Sequence, residues 1–390
     1  MSNPAVQHHT TSEGPRIVFR CDASVEIGSG HVMRCLTLAD EIARQGGTTT
    51  FLCRDLPGHM MATVVARGHA VHALPAPAIP AGPADPVSQS PSQVGTTPAH
   101  AGWLGVSVRE DMEQSRAFLD RHGPDRVIVD HYALDAVWQA GAVPSGVPIM
   151  VIDDLADRRH LCDLLLDQNL GRRAADYDGL VPAHAQRLTG PGFALLRPEF
   201  AARRPASLAR RRPPALNHVL VAMGGMDRDD TTSRVLDCLA EALPKECRVS
   251  IVMGQGAPAL DKVRARAARM PQPATVLVGV ADMATLMADA DLAIGGAGGT
   301  AWERCCLGLP ALLLILAENQ RPGAEALDRA GAAVLLGEHD DPGWQERLTE
   351  WLGAKGLLPS LERLSDRAAL LTEGLGTEHS ARVICERALL

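Results

Sequence analysis

The sequence predicts an α/β protein built from two doubly wound parallel-sheet domains facing a cleft. Three observations carry that reading. Short apolar runs alternate with amphipathic stretches of helical period along the chain. The alternation pauses at an Arg- and Pro-rich stretch and restarts beyond it. A glycine-rich turn follows an apolar run in each half, at 28–30 and at 295–299. Repeated strand–helix alternation argues for parallel strands with helices on both faces. Two such halves make the space between them the expected ligand site.

The elements follow in order. Ile17-Val-Phe-Arg-Cys21 reads as a buried strand, and Val32, Cys35, Leu36, Ala39, Ile42 and Ala43 mark one face of the helix behind it. Thr48–Cys53 reads as a strand, 58–67 as a helix and Ala70–Leu74 as a strand. Residues 75–100, rich in Pro, Ala, Ser, Gly and Gln, cannot easily build a core and read as a surface or disordered insertion. A helix near 106–121 precedes strands at Arg126–Asp130 and Pro148–Asp153. These elements define an N-terminal domain over 16–200.

The Arg- and Pro-rich stretch gives a linker at 201–215, with Arg203, Arg204, Arg210, Arg211 and Arg212 as solvated charges. The second domain, 216–390, has strands expected at 217–223, 248–253, 275–278, 291–294, 311–315 and 333–336. Two or three helices after Pro342 form a C-terminal extension.

Bulk properties remove several function classes. The net charge of −8 and 3% aromatic content give no electrostatic or stacking case for nucleic acid. Leu312–Leu316 is too short to span a bilayer, so no membrane insertion is expected. Nine cysteines without Cys-x-x-Cys spacing suit reduced thiols in a cytoplasmic protein rather than a zinc site or disulfide framework. The polar N-terminus lacks the apolar stretch of a signal peptide. Oligomeric state is not legible, and a monomer fits.

Two turns carry the chemistry. Gly28-Ser29-Gly30-His31 places an imidazole at a helix start, where glycines admit close approach and unpaired N–H groups attract an anion. A polar helix-start residue bonded locally is the simpler explanation of this motif taken alone. Ala293-Ile-Gly-Gly296-Ala297-Gly298-Gly299-Thr300-Ala-Trp-Glu303 is a strand, a glycine turn and a helix start suited to a diphosphate. Thr300 is placed to cap that helix or bond a phosphate, and Glu303 to accept from a ribose diol. The spacing matches neither Walker A nor the dinucleotide fingerprint, and a tight connection is the bland reading. Gly224-Gly225 repeats the pattern more weakly, and Glu318-Asn319-Gln320 sits at another strand end as either ligand contacts or cap residues.

Taken together, these segments resemble the UDP-sugar hydrolase family of the pseudaminic acid pathway, with its spore coat polysaccharide relatives. The resemblance runs through Arg20-Cys-Asp22, Ile27–Leu36, Asp130-His-Tyr132, Val151-Ile-Asp-Asp154, Leu195–Phe200, Met223-Gly-Gly225, 295–303 and Glu318-Asn319-Gln320. It implies two Rossmann-like domains similar to type B glycosyltransferases. It also implies hydrolysis of UDP-2,4-diacetamido-2,4,6-trideoxy-altrose at the anomeric carbon, with inversion.

Carried over, His31 matches the general base, Tyr132 and Asn319 active-site residues, and Asp22 an aspartate of less defined role. UDP would lie against 296–300, Glu303 and Val280, with Gly28–Gly30, Arg34, Gly224, Gly225, Glu318 and Gln320 as further contacts. No cofactor is implied. A metal at Asp153-Asp154 is disfavoured because adjacent strand residues face opposite sides. A sugar transferase, a hydrolysing 2-epimerase and a non-catalytic nucleotide-sugar binder are the competing readings. The 75–100 insertion and the C-terminal extension depart from the family pattern without touching a motif.

Overall fold

The computed structural model describes residues 14–77 and 98–386. Most of the expected insertion, 78–97, lies outside the described residues. The chain divides into two compact units.

Unit 1 runs to Asp167, then takes Ala174–Leu188 and the segment from Glu378 onward. Its strands are β1 (Arg16–Cys21), β2 (Thr48–Arg54), β3 (Ala70–Leu74), β4 (Arg126–Asp130), β5 (Ile149–Ile152), β6 (Leu164–Asp167) and β7 (Gln186–Thr189). Its helices are α1 (Gly30–Arg44), α2 (Met61–Ala66), α3 (Val108–His122) and α4 (Ala136–Ala142). The sheet order is β3-β2-β1-β4-β5-β6-β7, and the pairs from β3 through β6 are parallel.

Unit 2 holds Gln168–Arg173 and Thr189–Thr377. It begins with α5 (Pro198–Arg210) and continues with β8 (His218–Ala222), α6 (Thr231–Ala242), β9 (Arg248–Met253), α7 (Leu260–Ala267), β10 (Ala274–Val278) and α8 (Met283–Asp289). Then come β11 (Leu292–Gly296), α9 (Thr300–Cys306), β12 (Ala311–Ile315), α10 (Arg321–Arg329), β13 (Val334–Glu338), α11 (Trp344–Gly353) and α12 (Leu357–Ala369). The last helix, α13 (Gly376–Cys385), straddles the boundary between the units. The parallel order is β10-β9-β8-β11-β12-β13.

Both sheets therefore share the strand order of doubly wound nucleotide-binding folds. Alternation of side chains explains the two-faced burial. Val219, Val221, Leu292, Ile294, Leu312 and Leu314 enter one core of unit 2, while Leu220, Ala293 and Leu313 enter the other. Each such fully buried leucine, isoleucine or valine contributes about 1.5–3 kcal/mol relative to exposure.

Three expectations change. Residues 201–215 are not a solvated linker, because α5 covers most of them and packs into unit 2. Arginines of this stretch meet backbone carbonyls: Arg204 donates to Cys306 O (2.6 Å) and Ala369 O (2.7 Å), and Arg211, just past the helix end, to Ala290 O (2.6 Å). Pro205 lies inside the helix, where proline removes a backbone donor. The domain change falls near Thr189 rather than at 200. The C-terminal segment from Glu378 joins unit 1, where Arg126 Nη1 donates to Ile384 O at 2.7 Å.

A buried ion cluster braces the β1–β4 region of unit 1. Asp111, Arg20 and Arg54 are all fully buried, and Asp111 accepts from Arg20 Nη2 (2.6 Å), Arg54 Nη2 (2.6 Å) and Trp138 Nε1 (2.8 Å). Asp111→Ala leaves Arg54 without its carboxylate and is expected to cost about 3–5 kcal/mol. Urea denaturation checks this, and a loss below about 1 kcal/mol contradicts it.

Candidate functional site

In a doubly wound sheet, ligands bind outside the carboxyl ends of the strands where the order reverses. That point lies between β1 and β4 in unit 1 and between β8 and β11 in unit 2. Each unit is built up from there.

In unit 1, β1 runs into a tight turn held by Ser24, whose Oγ accepts from Glu26 N (3.1 Å) and Ile27 N (3.0 Å). Gly28 has φ +79°, a backbone that suits glycine. Gly30 has open space where a Cβ would stand, so the fold itself does not demand glycine there. Ser29 makes no side-chain cap to α1, whose first turn has no acidic residue. The helix start therefore keeps its attraction for an anion.

His31, 7% exposed, points its Nδ1 at Asp130 Oδ1, 2.6 Å away. Arg34, on the next turn of α1, clamps the same carboxylate with Nη2 to Oδ1 (2.6 Å) and Nε to Oδ2 (2.7 Å). Burial pushes the Asp130 pKa up, but Arg34 and His31 outweigh it and hold the carboxyl below its usual range. An ionised carboxylate only accepts, so Nδ1 must carry the imidazole proton. Nε2 keeps its lone pair, and it makes no hydrogen bond among the described residues. The arrangement is that of a general base oriented by a carboxylate.

Tyr132 stands edge-on to His31 with ring centroids 4.6 Å apart, and its hydroxyl donates to Asp154 Oδ2 at 2.7 Å. Burial and the neighbouring Asp154 raise its pKa well above normal, so it stays a neutral phenol. Trp103 stacks on Tyr132 at 5.5 Å and meets His31 edge-on at 6.3 Å. A cavity of about 650 Å³ shares Trp103 with this cluster and is also walled by Val25, Leu56, Pro57 and Pro77.

Asp22, expected at the site, is engaged by Arg20 and by backbone instead. Its side chain is fully buried, with Oδ1 paired to Arg20 Nη1 (2.7 Å) and accepting from Arg54 N (2.7 Å). It belongs to the bracing cluster and is sealed from solvent. Asp153 and Asp154 diverge as adjacent strand-end residues do. Asp153 pairs with Arg158 (2.8 Å) and Asp154 with Arg34 (2.7 Å).

In unit 2 the two glycine turns differ. After Gly224-Gly225, the carboxylate of Asp227 accepts from Thr231 N and Thr232 N, both at 3.0 Å. A protein anion already occupies the start of α6. The turn after β11 has no such occupant. Gly295 is required by packing, since a Cβ would come within 2.4 Å of Ala222 O. Gly298 and Gly299 have no such requirement: a Cβ on 299 meets nothing within 4 Å, and one on 298 meets only Gln320 Nε2 at 3.6 Å. Packing among the described residues therefore does not explain glycine at these two positions.

Gly299, not Thr300, occupies the N-cap of α9, a helix of seven residues too short for its dipole to define an anion site. Gln320 Oε1 is engaged with Ala297 N and Leu316 N, both at 3.3 Å, so it clips the end of β12 to the turn. Glu318 pairs with Arg321 at 2.8 Å, whereas Asn319 is exposed. Val280 is half-buried beside Gly279, which has φ +65°. Glu303 lies 3.9 Å from Arg197, and burial pushes its pKa up to about 7 although Arg197 and Arg304 pull the other way.

Sequence reasoning missed Asp130, Asp154 and Trp103 as members of the unit 1 set. Asp130 had a signal: it is the polar end of the apolar run Arg126-Val-Ile-Val, at the reversal point.

Residues 218–353 match the glycosyltransferase family 28 C-terminal domain. Over 319 residues the chain is 24% identical to the UDP-2,4-diacetamido-2,4,6-trideoxy-beta-L-altropyranose hydrolase of Campylobacter jejuni, covering 82% of this chain and 98% of the relative. It is 34% identical over 150 residues to the spore coat polysaccharide biosynthesis protein SpsG of Bacillus subtilis, covering 38% of this chain and only 43% of SpsG. Among solved structures, MurG of Acinetobacter baumannii superposes with a TM-score of 0.65 at 15% identity, covering 95% of this chain and 98% of MurG. The spinosyn rhamnosyltransferase SpnG gives 0.62 at 17% identity, covering 94% and 99%. The chain thus has the two-domain α/β fold of type B glycosyltransferases.

Glu303 generates a pH prediction. With a folded pKa near 7 against 4.5 ordinarily, the folded state binds the extra proton between those values. Stability is therefore lost as pH rises through that window. Glu303→Gln removes the effect, so the variant should gain about 2 kcal/mol relative to the parent on going from pH 5 to pH 8. Thermal melts at the two pH values check it, and an equal difference at both contradicts it.

Proposed function

We propose that the chain is a UDP-sugar hydrolase that frees UDP from a 2,4-diacetamido-2,4,6-trideoxyhexose by water attack at the anomeric carbon. The carrying observation is His31, with Nδ1 fixed on Asp130 and Nε2 bare. The hydrolase relative, matched along 98% of its length, supports the substrate class. The altropyranose configuration and the place in pseudaminic acid synthesis follow the same likeness.

Unit 2 holds the UDP. The bare backbone at Gly298–Gly299 receives the diphosphate, and Glu303, when ionised, accepts from the ribose hydroxyls. Val280 lies toward the uracil. Unit 1 handles the proton. Water forms a bond to C1, the C1–O bond to the β-phosphate breaks, and its electron pair leaves with UDP. Nε2 of His31 takes the water proton, and Asp130 stabilises the imidazolium that results. The centre inverts because water and leaving group occupy opposite faces. The start of α1 offers further unpaired N–H groups to developing charge. Tyr132 and Trp103 orient the sugar, with the cavity beside Trp103 receiving an acylamino group.

A transferase is the second reading, favoured by that same cavity of about 650 Å³, which has room for an acceptor. Incubation with a UDP-diacetamido sugar in ¹⁸O-labelled water separates them. Hydrolysis as written releases UDP without an acceptor and puts label on the sugar C1 oxygen. Label on phosphate, or no release without an acceptor, contradicts it. His31→Asn and His31→Leu should lower turnover about 10²–10⁴-fold with UDP affinity nearly unchanged. Turnover within a fewfold of the parent removes His31 as the base.

A further inference from the structure

We propose that Arg304 is a buried, unneutralised charge that makes the 295–300 turn prefer a nucleoside diphosphate to the bare nucleoside. The inference rests on the reading of unit 2 as the UDP-holding half, and it adds a positioning residue that acts without touching the ligand.

Arg304 is 2% exposed. Its Nη2 donates to Gly296 O, on the glycine turn itself. Its Nε is buried without a partner. Among the described residues no carboxylate pairs with it, and the adjacent Glu303 approaches Arg197 instead. The buried arginines of unit 1 look different: Arg20 and Arg54 both meet Asp111 at 2.6 Å, and Arg34 meets Asp130 at 2.6 Å. Burial pushes the Arg304 pKa down to about 10, although Cys305 and Glu303 pull the other way, and it stays charged at neutral pH. A buried guanidinium without a counter-ion is expensive, and an apolar side chain would fill the volume more cheaply.

The position explains the expense. A Cβ on residue 295 would come within 2.8 Å of Arg304 Nη1, so glycine at 295 makes room for the guanidinium directly behind the turn. The short helix α9 supplies little field of its own. An anion arriving at Gly298–Gly299 meets a nearby cation through a poorly polarisable medium, where Coulomb attraction is several times stronger than in water. The diphosphate is then the missing counter-ion. Uridine, being neutral, gains nothing from it.

The test is calorimetric titration of UDP and of uridine into the intact chain, the parent beside Arg304→Gln and Arg304→Lys. Arg304→Gln keeps a donor for Gly296 O but removes the charge, and should weaken UDP about 10- to 100-fold while uridine changes less than about twofold. Arg304→Lys keeps the charge and should recover most of the UDP affinity. If the glutamine variant fails to fold, Arg304→Met repeats the comparison. Equal losses for UDP and uridine, or UDP binding unchanged without the charge, overturn the proposal. A parent chain that binds neither ligand overturns the UDP-holding reading itself, a result visible before any variant is made.

Discussion

The Asp130 carboxylate is the point on which unit 1's chemistry turns. It ends β4 at the reversal of strand order, is fully buried, and meets two residues one helical turn apart on α1. Arg34 keeps it ionised, and an ionised Asp130 permits only one tautomer of His31. Burial makes the contact strong, because neither partner can be replaced by water without loss. Tyr132 and Trp103 then wall the imidazole with aromatic faces, and Tyr132 returns to Arg34 through Asp154. A residue that alone could have been an ordinary helix-start histidine thus acquires a defined protonation pattern.

Unit 2, proposed to receive negative charge, has two glycine turns that are built differently. Behind Gly224-Gly225 the protein has spent its own Asp227 on the helix start. Behind β11 it leaves the backbone bare at Gly298 and Gly299 and stores a guanidinium underneath. The two turns look alike in composition. What differs between them is the carboxylate of Asp227 at one and the guanidinium of Arg304 at the other, and on the proposal above that difference makes the second turn the receptive one.

Much of the architecture was legible because period and composition report local structure. Ala70–Leu74, Arg126–Asp130, Arg248–Met253 and Ala311–Ile315 fall as read. Strands β6 and β7 escaped, the first because Leu164-Leu-Leu-Asp167 is so short, the second because Gln186-Arg-Leu-Thr189 is polar and lies at the end of the sheet. The arginines of α5 read as solvated because their carbonyl acceptors lie far along the chain, as with Arg204 and Ala369. The site was half legible for the same reason. His31 stood out through its glycines, while its partner is 99 residues away. Asp22 shared a motif with functional residues, and no motif reveals that its carboxylate is sealed against Arg20.

The tautomer of one ring carries the account. Nitrogen-15 NMR of the ligand-free protein, with imidazole nitrogens labelled and His31 assigned by substitution, reads it directly. In the neutral ring Nδ1 should show the bonded proton and Nε2 the shift of a bare nitrogen. A neutral His31 protonated at Nε2 would contradict the claim that Asp130 sets this residue up as a base.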